Sequence, residues 1–128
     1  MADELQLSTS FNLTTTNLSE TFNPGTITID VSSVAGAGGI QAITAHASNF
    51  EQIAKGDAAD GGVFFIRNID TTNFVEVGTS SNDATDGTFQ PFLKLLAGEF
   101  AVGRLKEANI FARADTANVN IQYRLLSP

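Results

Sequence analysis

The clearest indication of the fold is the stretch VFFIRNIDTTNFVEVG (residues 63–78), in which two alternating apolar segments flank a polar string. Residues 63–68 are rich in Phe and β-branched side chains, which are typical of a β-strand, and residues 73–78 share this character. The Asp-Thr-Thr-Asn string between them carries side chains that bond nearby backbone groups in turns. We therefore predict a β-hairpin with Thr71 and Thr72 at its tip, bracketed by Asp70 and Asn73.

This hairpin implies a definite register of cross-strand neighbours. It sets Ile69 opposite Phe74, Asn68 opposite Val75, Arg67 opposite Glu76 and Ile66 opposite Val77. An ion pair between Arg67 and Glu76 would contribute roughly 0.2–1 kcal/mol. The same register collects the predicted core on one face: Phe64, Ile66, Val75 and Val77. Because structure accounts for each polar residue of the stretch, we favour a structural over a catalytic role for Arg67, Asp70 and Glu76.

The rest of the chain repeats short alternating segments, with turn signals about every ten residues. Residues 5–15 alternate, and so do residues 119–125, where Val119, Ile121, Tyr123 and Leu125 share one side. Asn23-Pro24-Gly25 and Gly98-Glu99 are typical of turns. Short helices over residues 47–55 and 91–97 are the competing interpretation at two places. We predict an all-β fold, an antiparallel β-sandwich of jelly-roll or Ig-like type.

The length of 128 residues fits one domain, so we predict a single β-sandwich over residues 1–128. Residues 1–17 are Thr-rich and strongly alternating, which favours an extended N-terminal arm or an edge strand. Residues 32–39 (SSVAGAGG) are small and predict a flexible loop. A hinge between an arm and the main body is the alternative for that stretch.

Charge and composition exclude several classes of protein. The net charge is -7, and the 7 basic residues are scattered against 14 acidic ones, which argues against nucleic acid as a partner. There is no cysteine for thiolate chemistry, and no apolar run approaches the ~20 residues that span a bilayer. The N-terminus lacks a charged segment followed by an apolar one, so we expect synthesis in the cytoplasm without a signal peptide or membrane partner.

Two acidic loops and one histidine are the remaining candidates for chemistry. Asp57 and Asp60 lie in GDAADGG, and Asp83 and Asp86 lie in NDATDG. Together they could offer oxygen ligands to Ca²⁺, but neither loop has EF-hand spacing, and we favour exposed turns. His46, the single histidine, has no recognisable nucleophile motif around it. We expect no catalytic residue, no metal ligand, no cofactor and no enzymatic activity.

Five motifs together resemble a known family. They are the Arg-Asn-Ile-Asp string of residues 67–70, residues 73–78, the LLAGEF turn of residues 95–100, IFARA at residues 110–114 and the closing strand of residues 119–126. In this order, across roughly half the chain, they resemble small β-sandwich virion proteins of tailed bacteriophages. The likeness is greatest to capsid decoration (cement) proteins.

The resemblance implies a structural role on the outside of a capsid. It implies the major capsid protein as partner, self-association as a homotrimer and a location on the virion surface. A neck, tail or fibre component of the virion is one alternative, and a carbohydrate- or ligand-binding β-sandwich module is another. The absence of Trp and the single Tyr weigh against a sugar platform. In the decoration role, residues 1–17 could add a strand to a neighbour's sheet edge.

Overall fold

The computed structural model describes residues 5–30 and 36–128. These residues form twelve strands and no helix, so the predicted all-β fold is confirmed. The helices considered over residues 47–55 and 91–97 do not form. Strand β6 and strand β9 occupy those places, over Glu51–Gln52 and Phe89–Leu95. The chain divides into two compact units, Met1–Val31 and Ser32–Pro128.

The N-terminal unit consists of four short strands: β1 (Leu5–Ser8), β2 (Phe11–Thr14), β3 (Ser19–Phe22) and β4 (Thr26–Ile29). Strand β2 pairs with β3, and β1 pairs with β4, both antiparallel. The predicted turn at Asn23-Pro24-Gly25 is confirmed. There the backbone N–H of Gly25 donates to Asn23 Oδ1 over 3.1 Å, and Gly25 adopts a φ of 85°, which favours glycine.

The C-terminal unit is an antiparallel β-sandwich. Its strands are β5 (Gly36–Ile43), β6, β7 (Val63–Asn68), β8 (Val75–Ser80), β9, β10 (Phe100–Arg104), β11 (Phe111–Ala114) and β12 (Val119–Leu126). The sheet that we call the front sheet has the order β10-β7-β12-β5, and the back sheet has the order β6-β11-β8-β9. Side chains from both sheets meet in one apolar core.

The predicted hairpin is wrong. Strands β7 and β8 exist, but β7 pairs with β10 and β12 in the front sheet, whereas β8 pairs with β11 and β9 in the back sheet. Residues 69–74 therefore carry the chain from one sheet to the other. Alternation requires only that each strand bury one face, and two strands meet that condition equally well side by side or across a core.

The predicted core residues are confirmed despite the wrong pairing. Phe64, Ile66, Val75 and Val77 are all buried, and they face one another across the two sheets. The alternation of β12 is also confirmed: Val119, Ile121, Tyr123 and Leu125 are buried. A pattern of period two thus identified the inward-facing residues correctly even where their partners were misassigned.

The predicted loop over residues 32–39 is wrong in its second half. Strand β5 begins at Gly36, and residues 36–39 pair with β12, while residues 31–35 lie outside the described residues. Glycine at position 38 leaves room for the Arg124 side chain, which lies over it. A Cβ added at Gly38 would lie 2.5 Å from Arg124 Cδ and 2.9 Å from the Tyr123 carbonyl oxygen. The small residues therefore make room for a neighbouring side chain and do not mark a break in the strand.

Candidate interaction surfaces

The polar residues of the opening stretch do not converge on one site. Arg67 is exposed and lies beside Phe100 and Gln122 in the front sheet. Glu76 lies in the back sheet, where its Oε2 accepts a hydrogen bond from Arg113 Nη2 over 2.9 Å. The predicted ion pair between Arg67 and Glu76 is therefore wrong, and Arg113 takes the place assigned to Arg67.

Asp70 organises the connection between the two sheets. Its Oδ1 accepts hydrogen bonds from the backbone N–H groups of Thr72 (2.7 Å) and Asn73 (3.1 Å). These donors hold the pKa of Asp70 below its ordinary value, because they stabilise the charged carboxylate. The predicted bonding of the Asp70 side chain to nearby backbone is confirmed. Asn73 takes part through its own backbone N–H and carbonyl.

Asn68 is the residue whose role the sequence interpretation missed. It is fully buried, and its Nδ2 donates to the carbonyls of Asn73 (2.8 Å) and Leu95 (3.0 Å). Its Oδ1 accepts from the backbone N–H of Asp70 over 2.9 Å. One side chain at the end of β7 thus holds the crossing segment and the end of β9 together. The sequence does indicate that Asn68 is buried, since residues 64, 66 and 68 share the inward face of one strand.

The acidic loops use their carboxylates within the protein. Asp57 Oδ1 accepts from the Gly36 N–H (2.8 Å), and Asp60 Oδ1 accepts from the Ala108 N–H (2.6 Å). Asp86 Oδ1 accepts from Asn82 Nδ2 (2.9 Å), and Asp83 has a φ of 56° in a tight turn. Over residues 5–30 and 36–128, no three His, Asp or Glu side chains are grouped to hold a metal ion.

His46 and Tyr123 have different surroundings. His46 is exposed and forms an isolated parallel bridge with Ala114 through its backbone. Tyr123 is buried, and its hydroxyl donates to the Ala54 carbonyl over 2.7 Å. Burial raises the pKa of Tyr123, because the charged phenolate is disfavoured away from water. Tyr123 therefore belongs to the core and offers no surface on which a sugar could stack.

A cavity of about 570 Å³ opens beside β9 and β10. Phe64, Leu105 and Ile110 supply apolar lining, and Phe92 is half exposed at the opening. Thr79, Gln90, Lys106 and Glu107 supply polar groups. The volume falls in the usual range for small-molecule sites, which makes this cavity a candidate ligand site.

The two outer faces of the sandwich differ in how their side chains are partnered. On the back sheet, the Phe50 ring stacks on Phe89 at 5.1 Å and meets Phe111 edge-on at 5.6 Å. Arg113 lies over the Phe89 ring as well as bonding Glu76. On the front sheet, the guanidinium groups of Arg67 and Arg124 have no ion pair or hydrogen bond among the described residues. That face also exposes Phe100 at 60% and Ile40 at 68%.

The N-terminal unit exposes much of its apolar surface. Phe11 and Phe22 lie opposite each other on β2 and β3 with ring centroids 5.8 Å apart, and both are more than half exposed. Ile27 on β4 is 54% exposed, and Leu18 is 46% exposed. No residue of this unit, within the part that the structure describes, is fully buried. The unit therefore presents a surface that a partner could cover.

Comparison with protein-family models, curated proteins and solved structures found no match to this chain. Among the described residues, no helix is long and apolar enough to cross a membrane. Function must therefore be inferred from the two surfaces and the cavity.

Proposed function

We propose that this chain is a non-enzymatic structural protein of a phage virion, which binds the outside of the capsid lattice and stabilises it. The proposal joins the resemblance of the sequence motifs to the exposed apolar surface of the N-terminal unit. That exposed surface is the observation that carries the proposal. The proposed partner is the major capsid protein, and the proposed self-association is a homotrimer.

The N-terminal unit has little means of stabilising itself. An isolated two-stranded hairpin is marginal in water, and each sheet of this unit has only two strands. The Phe11–Phe22 pair and Ile27 add exposed apolar area that burial would stabilise by roughly 25 cal/mol per Å². A lattice partner that covers this surface would supply that missing burial.

Binding of this kind stabilises a shell by mass action. A protein that binds the assembled lattice but not its separated subunits shifts the equilibrium toward the lattice. At a free concentration 100 times the dissociation constant, the shift is about 2.7 kcal/mol per site. Stabilisation of this kind needs no chemical reaction. This agrees with the predicted sites, where the side chains hold turns or belong to the core.

The test compares two paired positions on the same hairpin. The variant F11S/F22S removes the apolar pair, and N12S/T21S changes the neighbouring polar pair of the register as a matched control. Copies per virion are counted by quantitative mass spectrometry of purified particles. We expect loss of F11S/F22S and normal occupancy of the control. Wild-type chain absent from virions would contradict the virion role itself, whereas equal occupancy of all three would contradict only the docking role of the hairpin.

A ligand-binding module is the second candidate, and the cavity beside β9 and β10 favours it. Phe92 and the polar group of Gln90 could hold a small polar molecule with one apolar face. Glycan-array binding that is lost in Phe92→Ser would support this candidate. A neck, tail or fibre position would instead appear as a low copy number and a position away from the capsid shell.

A further inference from the structure

The outer face of the front sheet is ordered in rows by the strand register. One row runs Ile40, Gln122, Arg67 and Phe100 from β5 to β10, and the next runs Gly38, Arg124, Phe65 and Val102. Phe65 and Phe100 are in ring contact at 6.1 Å. These two rows thus bring apolar and cationic side chains together on one surface, which we call the front face.

The charge of the front face opposes that of the whole chain. Strands β5, β7, β10 and β12 contain Arg67, Arg104 and Arg124 but no Asp or Glu, although the chain has 14 acidic residues against 7 basic ones. Carboxylates at the ends of these strands already have donors: Asp57 accepts from Gly36, and Glu99 Oε2 accepts from the Leu96 N–H over 2.7 Å. The front face therefore carries cations without anions of its own.

Two of the three arginines are free to bind a partner. Arg104 Nη1 donates to the Gly61 carbonyl over 2.6 Å, so this group is engaged. Arg67 and Arg124 have no polar partner among residues 5–30 and 36–128. A guanidinium binds a carboxylate through two parallel hydrogen bonds, and such bonds are among the strongest available to a surface group.

The mixture of side chains favours protein over nucleic acid as the partner. Arginine and aromatic residues are enriched in protein interfaces. Here exposed Phe100 lies beside Arg67, and exposed Ile40 lies beyond Gln122 in the same row. A nucleic acid would find only two free arginines to neutralise its phosphates, and the net charge of -7 on the chain would repel it. Pairing of two front faces would bring the free arginines of both copies into one interface, to which these strands supply no Asp or Glu.

We propose that the front face is a docking surface for an acidic surface of another protein, whose carboxylates pair with Arg67 and Arg124 while its apolar side chains cover Phe100 and Ile40. This inference concerns a different surface from the N-terminal unit. It holds whether or not the partner of that unit is a capsid lattice.

The test uses the full chain, ¹⁵N-labelled, titrated with an oligoglutamate peptide and followed by nuclear magnetic resonance. We expect amide shifts on β7, β10 and β12. We also expect affinity to fall when salt is raised from about 0.1 M to about 1 M, which shortens the Debye length from ~10 Å to ~3 Å. R67E and R124E should each weaken binding by about tenfold or more, since a charge-assisted hydrogen bond contributes about 1.5–3 kcal/mol.

The matched control is K94E, which makes a comparable change of charge at an exposed position of β9 in the back sheet, outside the front face. It should retain the wild-type affinity to within about twofold, because only long-range charge differs. Equal weakening by K94E and R67E would overturn the proposal, as would shifts centred away from the front sheet. Tighter binding of an oligothymidine than of oligoglutamate would overturn it in favour of nucleic acid. Front-face shifts on dilution without peptide would overturn it in favour of a second copy.

Discussion

The front and back faces of the sandwich are built from the same kinds of side chain but differ in their partners. On the back sheet Arg113 bonds Glu76 and covers Phe89, and Lys94 Nζ lies 4.1 Å from the centre of the Phe74 ring. On the front sheet Arg67 lies beside Phe100, and no carboxylate pairs with it among the described residues. Arg113, Glu76 and Lys94 of the back sheet thus have partners within the molecule, whereas Arg67 and Arg124 of the front sheet have none in the part of the chain that the structure describes. We therefore expect the back face to contribute to stability and the front face to binding.

The largest effect on the free energy of unfolding is expected when one phenylalanine from each face is replaced. Phe111 is 1% exposed beneath Phe50, so F111A should lower the free energy of unfolding by about 3–5 kcal/mol through a cavity and lost contacts. Phe100 is 60% exposed, so F100A should change it by less than about 0.5 kcal/mol. Urea unfolding measures both. Equal losses would contradict the division of roles between the faces.

The second prediction concerns the residue that joins the two sheets. N68A removes three hydrogen bonds, two of which the buried amide donates to the carbonyls of Asn73 and Leu95. We expect a loss of about 2–4 kcal/mol, since each unsatisfied buried group costs about 1–3 kcal/mol and waters relieve part of it. N120A, at an exposed position of β12, is the control. A loss below that of the control would show that the crossing segment holds without Asn68.

The third prediction compares Arg113 on the back sheet with Arg67 on the front sheet. E76Q removes the anion beside Arg113, in a pair whose side chains are 25% and 22% exposed, and should cost about 0.5–1 kcal/mol. The loss should shrink at high salt. R67Q on the front sheet removes a cation that has no anion and should leave the free energy of unfolding unchanged. A measurable loss in R67Q would mean that Arg67 has an internal partner.

The smallest expected effect is a pH dependence in the crossing segment. Because the pKa of Asp70 is lowered in the folded state, its carboxylate contributes stability above its ordinary pKa of 3.8. That contribution is lost as the pH falls through the lower pKa of the folded protein. D70N should therefore be less stable than wild type at neutral pH, and the difference should vanish in acid. Thermal melts across this range measure it, and a difference that persists at low pH would contradict the assignment.

Strand positions and core residues could be predicted because they depend on local alternation. Phe64, Ile66, Val75 and Val77 lie inward for any pairing that buries one face of each strand. The pairing itself could not be predicted, since the turn around Asp70 serves a hairpin and a crossing between sheets equally well. Asn68 bonds the crossing segment and the end of β9, and its position on the inward face with Phe64 and Ile66 indicates a buried polar group.

The candidate surfaces depend on contacts that are distant in sequence. To predict that residues 36–39 form a strand, one would need to know that Arg124 of β12 lies over Gly38. The front face becomes visible only when four separate strands are placed side by side, because each contains at most one arginine. The lack of Asp and Glu in those strands is a property of the sheet, and no single stretch of sequence displays it.

The proposed role at the capsid and the division between the two faces are tested together by cryo-EM of a virion that contains the chain. We expect many copies on the outer capsid surface, with the front face against a neighbouring protein and the back face toward solvent. A position in the neck or tail would contradict the proposed role at the capsid. A capsid position with the back face buried and Arg67 and Arg124 in solvent would contradict the division of the two faces.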